Sequence, residues 1–336
     1  MINEENIMDR WQAVRNIIEN NKKFILFTHI SADGDALGSV TALALFLNKM
    51  GKETFILLEE NPQTVLRYVL DKDINYGIYS ENEVYPEFDV SIAIDTASKD
   101  RLGKRSQIFE KSNYCVSIDH HQSKEFFAQI NVCNPMWAAT CEGIWELMET
   151  YADVEDKDIC QSIFTGIMTD TGSFAYSNTT SNTHMIATKI INICGDQSWQ
   201  YRRIFESVTK SELDLRRIAY SKLEYYFDNT VVLLQLDADE MEKCNATREQ
   251  LESFAPFLRT IEGVCTGIFV KPQDENGVRR ISLRSDGSCN VGCVAASFGG
   301  GGHSCAAGIT YDPNKANCDF ESFKEKIIKE VEAWTE

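Results

Sequence analysis

The sequence lacks any run of about 18 consecutive apolar residues, the length a membrane-spanning helix needs, although 43% of its 336 residues are apolar. Its opening stretch, Met1 to Lys23, mixes charges with helically spaced apolar residues and has no unbroken apolar core, so no secretory leader is expected. Internal repeats and low-complexity tracts are also missing. These absences predict a cytoplasmic protein with no membrane partner. Positive charge is scarce, with 33 Lys and Arg against 51 Asp and Glu and a net charge of −18. That balance opposes a grip on long duplex nucleic acid, which comes from cations laid along many phosphates. A short anionic ligand stays open if bound cations neutralise a pocket locally. Histidine is scarcer still, with five in the chain, so its placement carries weight.

Cysteine is not scarce. The eleven cysteines are scattered through apparent strands and helices of a chain without an export signal, and are read as reduced, small hydrophobic residues. The tightest group, Cys289, Cys293, His303 and Cys305, matches no standard zinc spacing. A length of 336 residues predicts two domains. The expected fold class is α/β, with an N-terminal doubly wound, mostly parallel sheet and a smaller C-terminal α/β domain. Strands are predicted over Phe24–Thr28, Thr54–Glu59, Val90–Asp95 and Tyr114–Asp119, the first, third and fourth nearly all apolar, as buried parallel strands are. Asp35–Met50, rich in Ala and Leu at helical spacing and stopped by Gly51, supplies a crossover helix. From Ala138 to Leu223 the pattern is mostly helical, with Ser211–Tyr226 as one charged amphipathic helix. Strands over Thr230–Leu236, Val264–Lys271 and Arg279–Arg284, a Gly-rich turn and a final helix over Phe320–Trp334 complete the chain. The predicted division is 1–205, a helical linker at 206–228, and 229–336.

Residues able to do chemistry gather at the ends of these elements. His29-Ile-Ser-Ala-Asp33-Gly-Asp35 follows the first strand, Asp95 ends the third, Asp119-His120-His121 ends the fourth, and Asp170-Thr171-Gly172 follows a helix. In an open α/β sheet ligands bind at the carboxyl ends of strands. Each residue alone has an ordinary reading, because Asp after a strand commonly makes a turn or caps a helix. Asp95 and Asp119 resist it, since carboxylates that end buried apolar strands need a partner. Four of the five histidines (His29, His120, His121 and His303) fall in the suspect segments, and His184, at a helix start, does not. Carboxylates with a few imidazoles suit Mn²⁺ or Mg²⁺ better than structural zinc. With about five carboxylates available, two cations balance the charge better than one. The run Gly299-Gly300-Gly301-Gly302-His303, preceded by Arg284-Ser285, could bring main-chain amides close to an anion or a base, or form a flexible turn.

Taken in order, His29-x3-Asp33-x-Asp35, Asp95, Asp119-His120-His121, Asp170-Thr-Gly and the later Gly-Gly-Gly-His resemble the DHH phosphoesterase family. They most resemble its members with a DHH-associated C-terminal domain, the bifunctional oligoribonuclease and 3′,5′-adenosine bisphosphate phosphatases. The resemblance runs over essentially the whole chain, with Ala32 standing where members often have Pro. It implies a catalytic metal-binding domain at 1–205 and a substrate-binding domain at 229–336. It also implies two divalent cations, Mn²⁺ foremost, with Mg²⁺ or Co²⁺ as alternatives. One cation is expected on His29, Asp33 and Asp95, the other on Asp35, Asp95, His120 and Asp170, so that Asp95 bridges. Asp119 is expected to orient His120, His121 to lie near the substrate phosphate, and Arg284, Ser285, Gly301, Gly302 and His303 to bind substrate. The implied activity is hydrolysis of short oligoribonucleotides, dinucleotides or 3′,5′-adenosine bisphosphate. Cleavage of cyclic or linear di-adenosine nucleotides is the alternative within enzymes, and a non-catalytic, metal-dependent nucleotide sensor the alternative outside them. A homodimer stays open.

Overall fold

Every residue of Val90–Ile94 is apolar or small and all five are buried, so this strand has no solvent face and can only lie inside a sheet covered on both sides. In the computed structural model, which describes residues 4–121, 125–151 and 154–334, it is the fourth strand of a six-stranded parallel sheet. The strands are β1 (Lys23–Phe27), β2 (Glu53–Leu58), β3 (Tyr76–Ile78), β4 (Val90–Ile94), β5 (Tyr114–Asp119) and β6 (Ile130–Cys133). Their spatial order is β3-β2-β1-β4-β5-β6, and every neighbouring pair is parallel. Strand order reverses between β1 and β4, the point at which an open sheet forms a crevice at its carboxyl edge. Phe27 lies opposite Ala93 and Ile94 opposite Ile118, so β1, β4 and β5 end almost level.

The helices of this first unit are α1 (Glu4–Asn20), α2 (Gly34–Lys49), α3 (Ser106–Phe109), α4 (Thr140–Glu149), α5 (Lys157–Asp170), α6 (Ser181–Cys194) and α7 (Ser198–Phe205). The two faces of the sheet are covered unequally. Phe24, Leu26, Ile92, Ile94 and Ile118 pack in the large core with α1, α2, α4, α5 and α6, whereas Ile25, Phe27, Leu57 and Ala93 meet Leu102, Phe109 and loop aromatics. Helices α2 and α5 come unusually close. A Cβ on Gly38 would stand 2.4 Å from Ser162 O, and one on Gly166 would stand 2.2 Å from Cys141 Sγ and 2.8 Å from Asp35 Oδ1. These glycines let the carboxylate-bearing ends of the two helices meet.

The chain divides at Ser207/Val208 into two units. The second has α8 (Lys210–Ser221), β7 (Glu224–Tyr226), β8 (Val231–Gln235), α9 (Ala238–Cys244), α10 (Phe254–Leu258), β9 (Thr266–Val270), β10 (Arg279–Ser285), α11 (Val291–Ser297), β11 (Gly301–His303), β12 (Ala306–Tyr311) and α12 (Phe320–Ala333). Its sheet runs β11-β12-β10-β9-β8-β7, parallel between β8 and β9 and antiparallel elsewhere. Two differences from the sequence reading stand out. The helix predicted over Ser211–Tyr226 stops at Ser221, because 224–226 pair with β8 as an edge strand, and Leu215 and Ala219 of α8 are fully buried in this unit's own core. The Gly-rich turn is in part a strand: Gly301 lies opposite Gly308 and His303 opposite Ala306 in a hairpin. Gly302 has φ 148, and a Cβ there would stand 2.4 Å from Ala306 O, so the pairing of β11 with β12 itself demands glycine. No helix among the described residues is long and apolar enough to cross a membrane.

Candidate metal centre

The level ends of β1, β4 and β5 deliver His29, Asp95 and the Asp119-His120-His121 run to one edge, and the last residue of α5 brings Asp170 to the same place. The backbone is forced as it turns off these elements. Asp95 has φ 56, Ser31 in the loop after β1 has φ 56, and Ser173 and Phe174, just past Asp170, have φ 57 and 67. Non-glycine residues in the left-handed region cost roughly 1 kcal/mol or more each and persist where surrounding structure over-determines them, often at functional sites. Asp95 is held there by its N–H, which donates to Ile118 O at 2.9 Å.

His29 Nε2 lies 3.6 Å from Asp33 Oδ2 and 3.7 Å from Asp95 Oδ2. On the other flank His120 Nε2 lies 3.7 Å from Asp95 Oδ1, 4.0 Å from Asp35 Oδ2 and 3.3 Å from Asp170 Oδ2. Most of these gaps are too long for hydrogen bonds, but they suit donors that share one cation at about 2.0–2.2 Å from each. Three overlapping donor groups result: His29 with Asp33 and Asp95, Asp35 with His120 and Asp170, and Asp95 with His120 and His121, the atoms of each lying within 4.8 Å of one another. His29 Nδ1 is 2.6 Å from Ile30 O. A carbonyl only accepts, and this is the shorter of two contacts at Nδ1, the other being the donor Arg101 Nη2 at 3.0 Å, so the ring hydrogen is assigned to Nδ1 and the Nε2 lone pair to the side of the carboxylates.

Four of the carboxylates, Asp33, Asp35, Asp95 and Asp119, also have a second anchor. Asp33 Oδ1 caps α2, accepting the N–H of Asp35 at 3.1 Å and of Ala36 at 3.0 Å, while its Oδ2 faces His29. The capping and the ligand readings of Asp33 are therefore compatible, since Oδ1 caps the helix and Oδ2 faces the candidate site. Asp35, wholly buried, accepts the N–H of Thr140 at 2.6 Å and of Cys141 at 2.9 Å. These are the first amides of α4, whose helix dipole favours a negative charge. Thr140 Oγ1 donates to Asp95 Oδ1 at 2.9 Å. Thr140 and Cys141 escape sequence reasoning, because a main-chain amide has no residue signature. Asp119 Oδ1 accepts the His120 N–H at 2.8 Å and lies 2.7 Å from His121 Nδ1, whereas His120 Nδ1 lies 3.3 Å from Trp137 O. The carboxylate expected to orient the His120 ring thus sits on the ring of its neighbour.

Burial, reinforced by Asp35, Asp33, Asp119 and Asp170, pushes the Asp95 carboxyl well above its usual range. Burial with Asp35 and Asp33 pushes Asp170 up to about 9, and burial raises Asp35. The hydrogen bond to Asp119 raises His121. Among the described residues no Lys or Arg lies within ion-pair distance of Asp35, Asp95 or Asp170, and the only side chains there that can carry positive charge are imidazoles. Clustered buried carboxylates without cations are costly, so this oxygen-rich set with two or three imidazoles fits divalent ions of the Mn²⁺ or Mg²⁺ kind.

The residues expected to bind substrate lie in the second unit. Arg284 is half-buried, with Nη1 donating to Leu283 O at 3.0 Å. Ser285 is 1% exposed, and its Oγ accepts the N–H of Gly287 at 3.0 Å and of Cys289 at 3.3 Å, so it holds the turn after β10. Gly301, Gly302 and His303 are exposed.

Carboxylates and imidazoles gathered at the carboxyl edge of a parallel sheet are the equipment of a hydrolase that works on phosphoesters. Residues 23–169 match the DHH family, N-terminal domain, and residues 228–336 match the DHHA1 domain. The chain belongs to the DHH family and is a phosphoesterase. It is similar to the bifunctional oligoribonuclease and PAP phosphatase NrnA of Thermus thermophilus, 27% identical over 96% of this chain and 94% of that protein. It is likewise similar to the Bacillus subtilis protein of the same name, 25% identical over 85% of this chain and 88% of the other. Among solved structures, an exopolyphosphatase-related protein of Bacteroides fragilis superposes with a TM-score of 0.86 at 25% identity, covering 97% of this chain and 96% of that one.

Proposed function

We propose that the protein is a two-cation phosphoesterase that hydrolyses short oligoribonucleotides, down to dinucleotides, and 3′,5′-adenosine bisphosphate. The observation that carries this reading is the position of Asp95, which turns one oxygen toward His29 and the other toward His120 at the reversal point of the sheet. The names of the Thermus and Bacillus relatives support the choice of substrates, and the net charge of −18 speaks for short substrates over long ones. His29, Asp33 and Asp95 would hold one ion, and Asp35, Asp95, His120 and Asp170 the other, with Mn²⁺ proposed for both. Such ions, when bound, supply positive charge at the phosphoryl oxygens and lower the pKa of the attacking water. The chain's own part is placement. The first amides of α4 and the Thr140 hydroxyl fix Asp35 and Asp95, and Asp119 engages His121 Nδ1, leaving Nε2 for the substrate phosphate. We assign catalysis to the first unit and substrate binding to the second, through Arg284, His303 and the Gly301–Gly302 main chain, with Ser285 shaping the turn beside Arg284.

The test is a substrate panel with Mn²⁺: a 5′-phosphorylated diribonucleotide, 3′,5′-adenosine bisphosphate, a cyclic di-adenosine nucleotide and pyrophosphate. The first two should be hydrolysed fastest, with EDTA abolishing turnover. Failure to cleave either, or full activity in EDTA, overturns the reading.

A further inference from the structure

The turn that follows β4 carries four cations, Lys99, Arg101, Lys104 and Arg105, within seven residues. Three of them are matched by carboxylates: Lys99 by Glu110, Lys104 by Glu81, and Arg105 by Glu59 at 2.9 Å. Arg101 has no carboxylate within ion-pair distance among the described residues, and its Nη2 lies 3.0 Å from His29 Nδ1 instead. That nitrogen already gives its hydrogen to Ile30 O at 2.6 Å, and a ring nitrogen that donates has no lone pair for a second donor. With the ring hydrogen assigned to Nδ1, the guanidinium is set beside the candidate ligand His29 with no other hydrogen-bond partner among the described residues, and Arg101 is exposed.

Its position, by contrast, is fixed. Arg101 O accepts the N–H of Ile30 at 2.8 Å, which pins the residue to the loop that presents His29. Arg105, 0% exposed, ties the same turn to the sheet, donating to Thr28 O at 2.8 Å, Leu57 O at 2.7 Å and Leu102 O at 3.1 Å. A cation without a carboxylate partner among the described residues thus stands on a rigid support beside His29, whose Nε2 faces a carboxylate cluster that by itself repels anions. We propose that Arg101 is a substrate-binding residue of the first unit, whose guanidinium takes non-bridging oxygens of the substrate phosphate on the His29 flank of Asp95. The planar fork of arginine suits two phosphate oxygens at once, where an ammonium offers a single point of charge. His121 stands on the other flank, 3.7 Å from Asp95 Oδ1. This inference rests on the phosphoesterase reading above.

Arg101→Ala and Arg101→Lys separate the possibilities. With the 5′-phosphorylated diribonucleotide, kcat/KM should fall about 100-fold for the Ala variant and recover only in part with Lys, while added guanidinium ion restores part of the lost rate. The Mn²⁺ concentration giving half-maximal activity should stay within about twofold of the parent, because the guanidinium does not act through His29. A raised Mn²⁺ requirement with normal KM at saturating Mn²⁺ would mean that Arg101 only steadies His29, and overturns the proposal. Unchanged kinetics overturn it as well. Calorimetric binding of inorganic phosphate to the Mn²⁺-loaded protein decides the matter even if the diribonucleotide is not a substrate. Binding at least about tenfold tighter in the parent than in Arg101→Ala supports the proposal, and equal affinities, or no binding by either, refute it. Loss of turnover across the whole panel with the phosphate difference intact would instead indict the choice of substrate.

Discussion

Asp35, Asp95 and Asp119 of the first unit are 0%, 2% and 0% exposed, whereas Gly301, Gly302 and His303 of the second unit lie at the surface. Both segments attract notice in the sequence for the same reason, a concentration of residue types that chemistry uses. They differ in what holds them. Asp33, Asp35 and Asp95 are anchored by a cap, a helix start and a hydroxyl in turn, and Asp95 is crowded by other carboxylates. The hairpin glycines answer first to their own strand pairing, as Gly302 does. Like charges pressed together out of water are expensive and need a reason outside the fold. An exposed Gly-His segment needs none.

The sharpest way to break that contrast is Asp95→Asn. It should lower kcat by about 1,000-fold or more at saturating Mn²⁺ with the fold intact by circular dichroism, and near-normal turnover would remove the first unit's claim to the chemistry. Adding Mn²⁺ to metal-free protein should stabilise the folded state by about 2.7 kcal/mol at a hundredfold excess over Kd, read as a rise in Tm. The rise should survive His303→Ala and vanish in Asp95→Asn. Gly166→Ala comes next. Its methyl would press on Cys141 Sγ and Asp35 Oδ1, so denaturant unfolding should show a loss of about 1–3 kcal/mol together with lower activity. His303→Ala should change stability by less than about 0.5 kcal/mol and raise KM more than it lowers kcat, and an equal loss in both would erase the difference between the units.

The smallest effect is a pH slope in the second unit. Burial raises the Asp237 carboxyl, but the hydrogen bond and charge of Arg279 and the charge of Lys222 outweigh it, leaving the group below its usual value. A depressed folded pKa contributes stability that is present above the unfolded value, roughly pH 4, and lost as pH falls through the folded one. Asp237→Asn should flatten that acid limb when unfolding midpoints are compared between about pH 3 and 6.

The sequence made β1, β4 and β5 legible because buried parallel strands need apolar residues on both faces, and each such run here ends in His or Asp. Strands β3 and β6, with three and four residues, are too short to carry a period. Gly38 and Gly166 read as isolated helical glycines until α2 and α5 are seen to touch through them. Thr140 was invisible for a related reason: its amide and hydroxyl matter only because Asp35 and Asp95, distant along the chain, fold against them. The side on which Asp119 engages its histidines depends on how the chain turns after β5, which residue identity does not encode.

The cap that Asp33 forms with one oxygen while the other faces His29 bears on how relatives of this protein should be judged. Asn or Ser at that position would still cap α2, so a lineage that abandons hydrolysis can retain a capping residue there without loss of helix stability. Asp170 has no such second occupation: its carboxylate meets only His120 among the described residues. Once turnover is no longer under selection, position 170 should drift before position 33, and an intact Asp170 is the better witness that a descendant still works.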